Sequence, residues 1–229
     1  MADLLEWALT LALSQRERVF PGLLVDQRLE RYTVKTVEIN TVLERDADRA
    51  VYTIVRAFGA DPAARWMYPD DAEYAANFPR FVRAFGGKAF ASGTAYSIGD
   101  QGAALWLPPG VHQDEAALNE LIEETVPAEN RQDLSAVLEQ MDSFHPAEPH
   151  WYLPLIGVDP LCQSKGYGSA LMAYALRKCD REGKLAYLES SNPQNISLYA
   201  RCGFELLGTI KVGGLPPISP MLRKPRWDR

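Results

Sequence analysis

Residues Gln163 to Ser169 (QSKGYGS) are the first stretch whose types and spacing suggest chemistry. Two glycines, Gly166 and Gly168, open a helix with apolar periodicity. A turn of this kind aims free backbone N–H groups outward at the positive end of a helix, and that attracts phosphate oxygens. The glycines narrow the ligand. No G-x-x-x-x-G-K-[ST] loop is present. A dinucleotide fingerprint fails because Leu171 stands where its third glycine is needed. What remains is Q-x-x-G-x-G between a strand and a helix. The histidines His112, His145 and His150 and the cysteines Cys162, Cys179 and Cys202 show no metal-ligand spacing, so no metal is expected. His112 and His145 fall in loops and are expected to be solvated. Cys162 adjoins the turn, but a nucleophilic role would need an activating base beside it.

The elements around this turn follow from periodicity. Trp151 to Val158 is dense in aromatic and aliphatic residues, as in a buried strand, and Asp159-Pro160 ends it. The helix Gly166 to Arg181 should turn Leu171, Met172, Ala175, Leu176 and Cys179 to the sheet, with Gly183 closing it. Leu185 to Ser190 reads as the next strand, Asn192-Pro193 as the lead into a short helix, and Glu205 to Val212 and Pro217 to Arg223 as a closing pair of strands. Upstream, Arg31 to Ile39 alternates as a first strand. Asp46 to Phe58 and Ala72 to Phe85 read as helices, the second with a kink or break at Pro79. Gly93 to Ile98 and Ala103 to Leu107 form a hairpin. Residues 114–141 are a helical insertion, broken near Pro127, placed to wall the open end of the sheet. This order predicts a mixed α/β sheet flanked by helices.

Composition sets the class. The 229 residues, 47% hydrophobic, suit one domain over 32–229 with a helical extension over 1–31. A net charge of -6 gives no support for nucleic-acid binding and is compatible with an amine substrate. The odd number of scattered cysteines fits a reducing cytoplasm. No stretch approaches the roughly 20 apolar residues of a membrane span, and the N-terminus has no basic region or clean cleavage site of a secretion signal. A cytoplasmic protein with no membrane partner is expected.

The Q-x-x-G-x-G turn resembles the pyrophosphate-binding motif of the GCN5-related N-acetyltransferases (GNAT). The segment YLESSNPQNISLYARCGFELLG, Tyr187 to Gly208, resembles the same family's second signature through Asn195, Tyr199, Gly203 and Phe204. FGADPAARWMYPD with ALWLPPGVH is similar to a branch that includes puromycin-type acetyltransferases. The resemblance implies the GNAT fold: a mostly antiparallel central sheet whose central strands splay apart to admit acetyl-CoA, with no metal. The pantetheine arm would pair with Leu155, Ile156, Gly157 and Val158, with Gly157 the candidate for a strand bulge. The segment Gln163, Ser164, Lys165, Gly166, Tyr167, Gly168 and Ser169 would hold the pyrophosphate, and Asn195 the pantetheine amide or else a helix cap.

The reaction so implied is direct attack of a primary amine on the thioester. Tyr199 matches the family's tyrosine acid and would protonate, or hydrogen-bond to, the leaving thiolate. Glu189 is the first candidate for the base, acting through water, and His150 the second, because its pKa suits proton transfer near neutrality. The acceptor is expected to be a small molecule, and a homodimer is a common outcome for such domains. Two other readings stay open: a catalytically silent acyl-CoA-binding module, and a protein acetyltransferase acting on lysine or an N-terminal amine.

Overall fold

The computed structural model describes residues 37–226. The helix expected over residues 1–31 and most of the strand expected over 31–39 lie outside them. The described remainder of that stretch forms no strand. Among the described residues the first strand is β1 (Asn40–Thr41), two residues long and paired with Ser97 and Tyr96.

The elements that follow are α1 (Ala47–Ala57), α2 (Pro62–Met67), α3 (Asp71–Gly86), α4 (Lys88–Ala91), β2 (Ala95–Ile98) and β3 (Gly102–Leu107). Next come α5 (Glu115–Thr125), α6 (Ala128–Phe144), β4 (His150–Val158), α7 (Tyr167–Glu182), β5 (Leu185–Ser190), α8 (Ile196–Arg201), β6 (Glu205–Leu206) and β7 (Ser219–Arg223). The strands form one sheet in the order β1-β2-β3-β4-β5-β7-β6. Every pairing is antiparallel except β4 with β5. The short helix α2 went unread in the sequence. Asp61 starts it, accepting from the amides of Ala63 and Ala64, with Pro62 at its first position.

α3 continues without a break through Pro79, against expectation. An interior proline costs a helix about 3 kcal/mol. The face it shares offsets that cost. Tyr74, Phe78, Phe81 and Phe85 are buried and stack along the helix with ring centroids 4.8, 5.5 and 5.1 Å apart. Each buried side chain of this size stabilises by roughly 1.5–3 kcal/mol.

Two cores lie on opposite faces of the sheet. One packs α1, α3, α5 and α6 against Leu105, Leu107, Tyr152, Leu155 and Tyr187. The other packs α7 and α8 against Trp106, Trp151, Leu153 and Leu188. As the periodicity predicts, α7 buries Leu171, Met172, Ala175, Leu176 and Cys179.

The centre of the sheet forks. β4 pairs with β5 only from His150↔Leu185 to Leu153↔Leu188. Beyond that point β4 stays with β3 and β5 stays with β7. The fork opens beside Pro154. Leu105 pairs with Leu155 but Leu107 pairs with Tyr152, so β4 carries an extra residue across Leu153 and Pro154. A proline has no amide for a ladder and belongs at such a bulge. The bulge expected at Gly157 is therefore at Pro154. Gly157 is needed for close approach instead: a Cβ there would lie 2.5 Å from the Cβ of Ala57 in α1.

Candidate functional site

The chain leaves β4 under three constraints. The Asp159 amide donates to the Gln101 carbonyl at 2.8 Å. Its carboxylate accepts from the Leu161 amide at 2.9 Å and pairs with Arg56 at 3.1 Å. The turn that follows is set by two left-handed residues, Ser164 at φ 61 and Gly166 at φ 83. Glycine adopts that conformation freely, whereas Ser164 stores a small strain there. Among the described residues, no group accepts from the amides of residues 163–169, which converge on the start of α7. Free amides at a helix N-terminus are the arrangement that suits an anion, and we call this turn the cradle. The Lys165 ammonium donates to the Leu161 carbonyl at 3.1 Å.

The fork, the cradle and the end of β5 share one cavity of about 910 Å³. Leu155, Ile156, Gly157, Val158, Gln163, Ser164, Gly166, Tyr167, Gly168, Ser169, Asn195 and Tyr199 all line it; Lys165 and Cys162 do not. Asn195 is not spent on capping, since its side chain makes no cap bond to α8. Asn192 instead accepts from the Gln194 amide at 3.0 Å. The cavity's other half is apolar. Phe78, Phe81 and Phe85 of α3, Leu134, Val137, Leu138 and Met141 of α6, and Leu215 and Ile218 wall it. The insertion does form a wall. Of the aromatic stripe, Tyr74 is committed elsewhere, donating from its hydroxyl to the Val55 carbonyl at 2.6 Å.

Glu189 and Tyr199 line the cavity, while His150 does not. Tyr199 is buried, and burial first, then the Asp61 carboxylate, push its phenol upward, so it stays protonated. Glu189 shares a sheet face with Tyr187, two residues earlier, while Leu188 packs in the opposite core. Its side chain is 3% exposed. Burial, then the Glu189 charge, push the phenols of Tyr152 and Tyr187 up.

His145 is not solvated as expected. Its ring lies 4.3 Å from Tyr187 and 4.7 Å from Tyr152, centroid to centroid. Its Nε2 is 3.2 Å from Oε1 of Glu189, and its Nδ1 is 3.0 Å from Nε2 of His150. The expectation failed because a loop position gives no sight of contacts across the sheet. One signal was readable. His150 and Tyr152 on one strand, and Tyr187 and Glu189 on the next, are polar residues at period two on buried strands.

Asp61 was also missed as a lining residue. Besides starting α2 it accepts from the Ser191 hydroxyl at 2.7 Å, which ties α2 to the end of β5. Burial raises its carboxyl despite the bonds from Ser191, Ala64 and Ala63. Among the described residues, no group of three or more His, Cys, Asp or Glu could hold a metal, and no helix is long and apolar enough to cross a membrane.

Residues 126–204 match the family model of the Acetyltransferase (GNAT) family. An uncharacterized N-acetyltransferase of Schizosaccharomyces pombe is 25% identical over 209 residues, covering 80% of this chain and 82% of the relative. A crystal structure from Corynebacterium glutamicum, of a histone acetyltransferase and related acetyltransferase, is 25% identical with a TM-score of 0.56 and covers 83% of this chain and 97% of its own. The polyamine N-acetyltransferase of Drosophila melanogaster, 15% identical, shares the fold at a TM-score of 0.57 over 82% of this chain and 99% of its own. So does arylalkylamine N-acetyltransferase 2 of Aedes aegypti, 12% identical, at 0.57 over 82% and 98%. Residues 126–204 thus match the GNAT acetyltransferase family, and the forked sheet around them has the fold that these structures share.

Proposed function

We propose that this protein is an acetyl-CoA-dependent N-acetyltransferase that acetylates the primary amine of a small molecule with an apolar body. The observation that carries this reading is that one cavity joins the fork and anion cradle to an apolar chamber, with Glu189 and Tyr199 both on its lining. Its volume of about 910 Å³ lies within the usual size of a ligand site.

The cofactor half suits acetyl-CoA. The unpaired edge of β4 beyond Leu153 offers a strand-like partner to the pantetheine arm, and the amides of residues 163–169 with Arg201 suit the phosphates. In the ternary complex the amine attacks the thioester carbon directly. A C–N bond forms, the C–S bond breaks, and Tyr199 donates its proton or a hydrogen bond to the departing sulfur. Glu189 takes the proton from the ammonium. The acceptor half holds carboxylates, Asp61 and Glu189, among phenylalanine and aliphatic side chains. That lining suits a single cation on an apolar body. The fold neighbours named for polyamine and arylalkylamine acetylation are in keeping with a small amine. A cytoplasmic location fits the free cysteines Cys162, Cys179 and Cys202.

The test is acetyl-CoA turnover, followed as thiol release, against arylalkylamines, polyamines and lysine peptides, with Tyr199→Phe alongside. Amine-dependent release that falls about 100-fold in the variant, with the KM for acetyl-CoA unchanged, is expected. Tight binding of acetyl-CoA without turnover on any amine would identify a silent binding module. Turnover on peptides alone would identify a protein acetyltransferase.

A further inference from the structure

Behind Glu189 a chain of hydrogen-bonding groups fixes which atoms carry protons. His150 Nδ1 lies 2.8 Å from the Glu148 carbonyl oxygen. A carbonyl only accepts, so Nδ1 of His150 bears a hydrogen. Burial lowers the affinity of His150 for a second proton, which leaves its Nε2 as an acceptor. The group facing that Nε2, at 3.0 Å, is Nδ1 of His145, which therefore bears the hydrogen between them. With that hydrogen in place, the neutral form of His145 turns a bare Nε2 toward Oε1 of Glu189, 3.2 Å away, and the protonated form turns an N–H toward it. In the neutral form two acceptors face each other, and one proton fills the place between them. Oε1 of Glu189 and the hydroxyls of Tyr152 and Tyr187 are all buried with no well-formed hydrogen bond among the described residues, and the carboxylate lies near enough to both phenols to hold their protons in place.

We propose that His145 is a positioning residue that makes Glu189 an effective base: the Glu189–His145 pair is built to receive one proton, and His150 sets the tautomer that keeps the place for it open. The inference rests on the amine acetyltransferase reading above. An N–H bond of the substrate ammonium breaks, and its electron pair stays on nitrogen for attack on the thioester. The proton passes to Glu189 and is shared with Nε2 of His145, and the pair goes from a charge of minus one to neutral. After the C–N bond forms and the C–S bond breaks, the second amine proton ends on the thiolate. The pair loses its own proton to solvent between turnovers.

Other titratable groups face this chain. Tyr152 of β4 and Tyr187 of β5 are pushed upward and stay neutral. Asp142 of α6 acts on Tyr187, and His112, in the loop after β3, acts on His150. His112→Gln is therefore the control.

Two measurements decide the proposal. The first needs no substrate: nitrogen NMR of the full chain labelled at histidine, titrated across the neutral range. Neutral His145 and His150 should both carry hydrogen on Nδ1, and His150→Gln should mix the tautomers of His145. A hydrogen on Nε2 of neutral His145 overturns the proposal. The second is the pH profile of kcat/KM for the amine. His145→Gln should lower it about 100-fold, leave the KM for acetyl-CoA unchanged, and move the acidic limb, because the carboxylate then holds the proton alone. A loss with an unmoved limb means a structural role and overturns it too. If no amine is turned over at all, the functional reading fails, and the tautomers still decide whether the pair exists.

Discussion

Gly157→Ala tests how the fork is held open. In the native packing, α1 ends at Ala57 directly over Gly157, and a Cβ added at residue 157 would meet the Ala57 Cβ at 2.5 Å and the Ile54 Cα at 3.5 Å. Carbon atoms of this kind do not approach closer than about 3.5 Å without loss. Neither contacting atom is the end of a flexible side chain, so helix or strand must shift by about an ångström. Overpacking of that size costs roughly 1–3 kcal/mol. At roughly 2–4 °C per kcal/mol for a chain of this size, the melting temperature should fall by about 2–12 °C. Ala57→Gly restores the space by moving the methyl group across the interface. It costs at most about 1 kcal/mol in helix propensity, and less at a last residue than in an interior. The double variant should therefore melt above Gly157→Ala alone, with a coupling energy of at least about 1 kcal/mol in a double-mutant cycle. The same shift moves the β4 edge that lines the cavity, so the KM for acetyl-CoA should rise in the single variant and recover in the double. A single variant as stable as the native protein, or a double variant with no recovery, would refute the close-approach argument.

Asp180→Ala should remove about 3 kcal/mol and lower the melting temperature by roughly 6–12 °C, because Arg223, 4% exposed, loses its paired oxygens at 2.7 and 2.8 Å. Burial alone would raise the Asp180 carboxyl, but the bonds from Arg223 and the Arg226 amide lower it on balance. Its contribution is thus present above the ordinary carboxylate range and lost as pH falls through the depressed native value; denaturation curves of native and variant protein should converge in acid. Coenzyme A at 100 times its dissociation constant should stabilise the protein by about 2.7 kcal/mol, or roughly 5–11 °C in a thermal shift, and Gly157→Ala should shrink that shift at equal concentration.

The cofactor half was legible because its parts are close in sequence and fixed by local geometry. The Gln163–Ser169 turn follows from glycine conformation and a helix start, and eleven of the twelve cofactor-binding residues named from sequence line the cavity. The acceptor half was less legible. Its wall joins α3, α6 and the Leu215–Ile218 segment, which are distant in sequence and carry ordinary apolar patterns. Phe78 and Phe81 read as core residues and are also lining residues, and no spacing separates those two roles. The place of the bulge was misjudged for a different reason. Glycine in a strand signals either a bulge or a close approach, and the proline three residues earlier had already supplied the bulge. His145 required the parallel register of β4 and β5, which pairs His150 with Leu185 and so carries Tyr152 and Tyr187 to the rings of His145.

Opening the sheet and placing Glu189, the proposed base, are consequences of one feature. The bulge at Pro154 ends the pairing of β4 with β5 after Leu153↔Leu188, one residue before Glu189. Had the ladder continued, Glu189 would sit beside a paired β4 and away from any opening. Because it stops there, Glu189 is the first residue of β5 at the fork, held from behind by Pro220 of β7 and open in front to the cavity. The pair before the last, Tyr152 and Tyr187, lies immediately behind, and His145 packs against both rings. Water is thereby excluded from one side of the carboxylate, while the side facing the unpaired edge of β4 stays accessible. A carboxylate so placed lines the cavity where a bound amine would reach it. Restoring pairing past Leu153 would close the fork proposed to admit the cofactor and cover Glu189 at the same time. That coupling explains why a nine-residue central strand tolerates a proline in its middle.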